Sequence, residues 1–165
     1  MWNGIQRNLA VLGLVIILGC GGSPVSLERA PNAVAGCEDA TPELLTPNPR
    51  MLPGRVCQAC HVAGGQAASL IWTASGTVYS RADAKCNEAG VEGVTVELLD
   101  DKDRVMVRLT TNRVGNFFTA EPLGAALRAR LSKDGKTANM MGLQPTGACA
   151  GCHNPSGTAP GRLFL

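Results

Sequence analysis

Histidine is almost absent: the 165 residues hold two, His61 and His153. None is spare for acid–base catalysis beyond whatever those two do. A charge excess is missing too. Lys plus Arg number 15 and Asp plus Glu 13, a formal net charge of +2, so nothing points to nucleic acid or to an anionic membrane surface. Asp100, Asp101 and Asp103 crowd one short stretch, as a solvated turn does, and form no paired-carboxylate site. The apolar run from Leu9 to Leu18 is too short to span a bilayer. No stretch keeps a helical period beyond about two turns, which excludes a helical architecture.

What is present is cysteine, 7 residues of it, in a telling arrangement. "CQACH" at 57–61 and "CAGCH" at 149–153 spell Cys-x-x-Cys-His twice, and each histidine of the chain ends one copy. This is the c-type haem attachment signature. Two intervening residues let both thiols reach the two vinyl groups of one porphyrin, and the next residue turns its imidazole to the iron. Cys57, Cys60 and His61 are therefore expected to form one unit and Cys149, Cys152 and His153 a second, giving two covalently bound haems with His61 and His153 as iron ligands. Three other chemistries use the same residues. Redox-active dithiols usually open a helix in a βαβ setting, which is missing here. A four-cysteine zinc site or plain local disulfides are the others.

With both histidines so used, the sixth iron ligand cannot be a second histidine of the same chain. A methionine, a weaker group, another subunit or nothing takes that place. Met51, Met106, Met140 and Met141 are the candidates, and a thioether would raise the potential relative to a second imidazole. Met51 stands six residues before Cys57, and Met140 and Met141 nine and eight before Cys149. Proline and glycine follow in both places ("MLPGRVCQACH", "MMGLQPTGACAGCH"), a weak repeat of methionine, turn and motif. Asp134-Gly135 is a two-residue hairpin signal. It pairs Lys133 with Lys136, Leu131 with Ala138, Ala129 with Met140 and Arg128 with Met141, so Met140 should face a core and Met141 solvent. Met106 is out of phase with Val105 and Val107 and is expected on the exposed face.

The start, "MWNGIQRNLAVLGLVIILGCGGS", joins Arg7, a short apolar run and small residues ahead of Cys20. It resembles a bacterial lipoprotein signal, which implies cleavage before Cys20 and lipid on its sulfur. Gly21 in place of Asp implies the outer membrane, on its periplasmic side. An ordinary secretory signal or a poor membrane anchor are the alternatives; either way the mature chain is expected to be exported. With Cys20 lipidated and four cysteines on haem, Cys37 and Cys86 remain. An even remainder in an oxidising compartment predicts a disulfide between them rather than two unpaired thiols. The expected organisation is a signal at 1–19, a Pro-rich lipid-anchored tether at 20–53, a first haem-binding segment at 54–68, a β-sandwich domain at 69–141, and a second haem-binding segment with the tail at 142–165.

Between the motifs the pattern has period two. Val94, Val96 and Leu98 alternate with Thr95, Glu97 and Leu99; Val105, Val107 and Leu109 with Met106, Arg108 and Thr110; Leu127, Ala129 and Leu131 with Arg128, Arg130 and Ser132. These are half-buried antiparallel strands, joined by turns at Asp100–Asp103 and Thr111–Gly115. The pieces "GTVY", "GVEGVTVELLD", "TTNRVGNFF" and "ALRARLSKDG" resemble the carboxypeptidase regulatory-like, or transthyretin-like, domain over about 65 residues. That resemblance implies a mainly-β Greek-key sandwich that acts as a spacer or binding module and carries no chemistry, flanked by two haem-binding loop segments.

Taken together, the parts resemble an exported multihaem c-type cytochrome. The expected function is electron transfer at the cell envelope, with other envelope redox proteins as partners and the membrane reached through a lipid anchor. A haem enzyme with an open sixth position, such as a peroxidase, is the enzymatic alternative. A β-sandwich lipoprotein whose Cys-x-x-Cys pairs are only structural is the non-haem one.

Overall fold

The computed structural model describes Cys37, residues 42–159 and residues 161–165; the signal-like segment, Cys20 and most of the tether lie outside the described residues. Strands dominate: β1 (Ala74–Tyr79), β2 (Thr95–Leu99), β3 (Val105–Thr110), β4 (Asn116–Thr119), β5 (Arg128–Lys133), β6 (Lys136–Asn139), β7 (Gly147–Ala148) and β8 (Leu163–Phe164). Among the described residues the helices are single turns, α1 (Pro42–Leu45) and α2 (Cys149–Cys152), with a 3₁₀ turn at Cys57–Ala59.

The strands make two sheets. One is antiparallel in the order β3-β2-β5-β6, with Val96 opposite Leu131 and Leu98 opposite Ala129. These four side chains and Val94 face Ala74, Val78 and Phe117 of the other sheet, and together they form the buried core. The intervening residues point outward, as the alternation predicts. At the β5–β6 turn Asp134 and Gly135 have φ of 50° and 77°. Positive φ at both central positions matches the natural twist of paired strands. The register is the expected one: Lys133 pairs with Lys136 and Leu131 with Ala138, and the Met140 N–H donates to the Ala129 carbonyl at 2.9 Å. Met140 accordingly packs on the core, whereas Met141 is 88% exposed.

One strand departs from strict alternation. Met106 was expected on the exposed face, yet it packs against the core, and Val105 is 41% exposed. The cause is a bulge: Leu98 pairs with Val107 but Leu99 with Val105, so Met106 is an extra residue in β3. An inserted residue reverses the phase of side chains on one side of it.

On the outward face of this sheet Glu97 is 7% exposed and lies between two arginines. Its carboxylate accepts from Arg108 at 2.6 Å and from Arg130 at 2.6 Å. The Arg108 bond, then the Arg130 bond, hold its pKa below the ordinary 4.5, against the opposing effect of burial. A depressed carboxylate stabilises the fold above its unfolded pKa, and that contribution is lost as pH falls through the lower folded value. Glu97→Gln should therefore lower the unfolding midpoint at pH 7, and the gap from wild type should close as pH drops below 4.5. Urea unfolding at both pH values measures it; a gap that does not depend on pH would count against the ion-paired carboxylate.

The other sheet centres on β1. β4 runs antiparallel along one edge, and the other edge takes two short parallel strands in turn, β7 at Ala74–Ser75 and β8 at Val78–Tyr79. All six residues of β1 are buried. Ala74 and Val78 face the core, and the opposite side is covered by the chain that leads into the first motif. There the Gly54 N–H donates to Thr77 Oγ1 at 2.7 Å, Thr77 Oγ1 donates to Asn116 Oδ1, and the Tyr79 hydroxyl donates to the Cys86 carbonyl at 3.0 Å. Burial raises the Tyr79 pKa to about 12. Cys37 and Cys86 are joined by a disulfide, both buried. Arg162, 1% exposed, fastens this layer. It donates to the carbonyls of Ala84 and Gly54, approaches Cys86 Sγ at 3.0 Å and lies over the Tyr79 ring.

Candidate functional site

The first motif enters as a tight turn. The His61 N–H donates to the Cys57 carbonyl at 2.9 Å, an i to i−4 bond that closes one helical turn. Positions i and i+3 of such a turn share a face, which carries both thiols, and the histidine follows directly. His61 Nδ1 lies 2.7 Å from the Leu70 carbonyl. A carbonyl can only accept, so Nδ1 carries the proton and Nε2 keeps its lone pair. The His61 ring packs on Trp72 at 5.1 Å, and Trp72 on Phe118 at 4.7 Å. Val62, next to His61 in the chain, and Leu70 and Ile71, at and after its carbonyl partner, are 45%, 54% and 46% exposed. Large apolar side chains half in water beside a metal-ligand type suit an apolar covering group.

The second motif repeats the first. The His153 N–H donates to the Cys149 carbonyl at 2.8 Å, closing α2. Beyond each histidine the chains run in parallel: residues 57–67 and 149–159 both read Cys-x-x-Cys-His-x-x-x-Gly-x-Ala. Gly65 N–H donates to the Val62 carbonyl at 2.9 Å and Gly157 N–H to Asn154 at 3.0 Å; Ala67 N–H donates to Cys60 at 3.0 Å and Ala159 N–H to Cys152 at 3.2 Å. The returning loop thereby satisfies the carbonyl of the second cysteine, which a one-turn helix would leave unpaired. Both glycines are sterically required. A Cβ on Gly65 would strike the Cys60 carbonyl oxygen, and one on Gly157 the Cys152 carbonyl oxygen. This repeat lies downstream of each motif. The upstream repeat of methionine and turn has no structural counterpart, because Met140 follows a hairpin strand whereas Met51 lies in the covering layer, its carbonyl accepting from Asn116 at 3.0 Å.

Gly157→Ala is expected to cost about 1–3 kcal/mol, since backbone must move to admit the methyl, and to disturb the second motif while sparing the first. Thermal unfolding gives the cost; a variant as stable as wild type would show that the loop does not need glycine.

Both motifs meet on β1. The Ser75 hydroxyl donates to Gln58 Oε1 at 2.6 Å, which seats the first motif on the covered face. β7 pairs with Ala74 and Ser75 and delivers Cys149 beside Gly76. A side chain at Gly76 would meet Phe117 at 2.7 Å and Cys149 Cβ at 3.1 Å, so glycine admits the second motif. The two units thus flank the start of the same strand, one on each side of it.

None of the four motif cysteines is in a disulfide. Burial raises the pKa of Cys57, partly offset by its Ser75 hydrogen bond, and pushes Cys149 up to about 12. At these two sulfurs desolvation opposes an uncompensated thiolate, whereas a neutral thioether carries no charge to bury. Among the described residues no three His, Cys, Asp or Glu side chains converge as a metal site. Burial also depresses the His153 pKa, with the nearby Gly161 backbone acting the other way, which favours the neutral imidazole that a metal requires. An open depression lined by Gly93, Thr95 and residues 132–137 shares no residue with either motif.

The six motif residues were named from the sequence; the residues that pack on or bond to them, Leu70, Trp72, Ser75, Gly76 and the Gly-x-Ala returns, were not, nor was the buried Arg162. Only the returns had a linear signal, the repeated spacing after each histidine. No family model, curated protein or solved structure matches this chain.

Proposed function

We propose that the protein is a dihaem c-type cytochrome of the cell envelope, an electron-transfer lipoprotein built around a Greek-key, transthyretin-like sandwich. The observation that carries this reading is the pair of matching turns, each presenting two thiols on one face and an imidazole after them, seated on one strand. Cys57 and Cys60, and Cys149 and Cys152, would hold the two groups by thioethers, and His61 and His153 would ligate iron, which supplies reversible one-electron chemistry. The Leu70 carbonyl orients the His61 ring so that Nε2 is the free donor. Val62, Leu70 and Ile71 supply apolar surface for a porphyrin edge. Met140 and Met106 are taken up in core packing, which leaves Met51 and Met141 as candidate sixth ligands. Should neither serve, an open coordination position would favour the peroxidase-like alternative.

EPR of the oxidised protein tests the relay. Spin coupling between two irons is expected, because both units stand on β1. Low-spin histidine–methionine signals would support Met51 or Met141, and high-spin signals an open position. Two uncoupled single-iron spectra would defeat the relay.

A further inference from the structure

We propose that the two histidines are unequal ligands, His61 holding the lower-potential iron and His153 the higher, so that electrons pass internally from the His61 side to the His153 side. This rests on the dihaem reading above. The two units share a backbone path through Ala67 and Ala159 and part where a carbonyl is offered to the ring. Leu70 lies nine residues after His61 and accepts from Nδ1 at 2.7 Å. A hydrogen bond there shifts electron density toward Nε2, strengthens the imidazole as a donor and favours the ferric state.

The second unit lacks this bond. His153 Nδ1 is buried with no hydrogen-bond partner. A weaker donor favours the ferrous state. The exchange is balanced by itself: one electron leaves ferrous iron at His61, which becomes ferric, and reduces ferric iron at His153 to ferrous. No bond forms or breaks and no proton moves.

The test compares two single-motif proteins by spectroelectrochemistry, one with Cys149→Ser and Cys152→Ser, the other with Cys57→Ser and Cys60→Ser. The chain that keeps His61 should show the lower midpoint potential; equal or inverted midpoints overturn the inference. Should a double variant fail to accumulate, the intact protein is titrated under NMR. The haem with cross-peaks to Trp72 and Phe118 should then oxidise at the lower applied potential, and oxidation in the reverse order overturns the inference. A protein without bound haem defeats the dihaem reading itself, while two haems in the wrong order defeat only this proposal.

Discussion

Two haems are expected to remain on the polypeptide through denaturing electrophoresis. Thioether bonds survive detergent and heat, whereas zinc, disulfides and non-covalent haem leave no haem-stained band. Expressed with a working cytochrome maturation system, the mature chain should exceed its apoprotein mass by two haems. Cys60→Ser or Cys152→Ser should each impair one attachment and leave the other. The separate effects follow from the structure, since each turn closes its own backbone bonds, His61 to Cys57 and His153 to Cys149. A mass with no haem, under maturation that loads a control cytochrome, would end the cytochrome reading. The thiols of Cys57 and Cys149, which burial keeps protonated, would then need another explanation.

Arg162→Ala is expected to be the most damaging substitution away from the motifs. Its guanidinium is buried and satisfies the carbonyls of Ala84 and Gly54 while bearing on Cys86 Sγ. Removing it strands two buried acceptors and empties a large volume, an expected cost of about 3–5 kcal/mol. Arg162→Lys should recover only part, because an ammonium cannot reproduce the planar fork. Cys37→Ser, which opens the disulfide, should cost about 2–4 kcal/mol. The double variant should fall short of the sum, because the arginine and the disulfide sulfur are in contact. Denaturant unfolding of these four variants beside the wild type measures this. A loss under about 1 kcal/mol for Arg162→Ala would mean that the C-terminal tail is not anchored by that side chain.

The tail shows what a one-dimensional pattern cannot carry. β7 and β8 are two residues each and have no alternation to detect, yet both add to β1. They pair with the edge of β1 that faces away from β4, far off in sequence. Arg162, read alone, is a polar residue near a chain end, and nothing linear marks it as buried. Met106 is a subtler case. Its period-two phase was legible, but the bulge opposite Leu98 and Leu99 reversed it, and a bulge depends on how two strands twist together.

By itself the sequence determined the local chemistry and the local geometry: the two Cys-x-x-Cys-His turns, the alternating strands and the Asp134-Gly135 hairpin with its register to Met140. Each follows from neighbours a few residues apart, where covalent spacing and φ preference leave little choice. Tertiary structure alone decided that both turns stand at β1, that Gly76 clears the way for Cys149, and that Leu70 holds the His61 ring while His153 Nδ1 goes without a partner. Those outcomes depend on which distant segments exclude water together, and hydrophobic burial has no sequence direction to announce it.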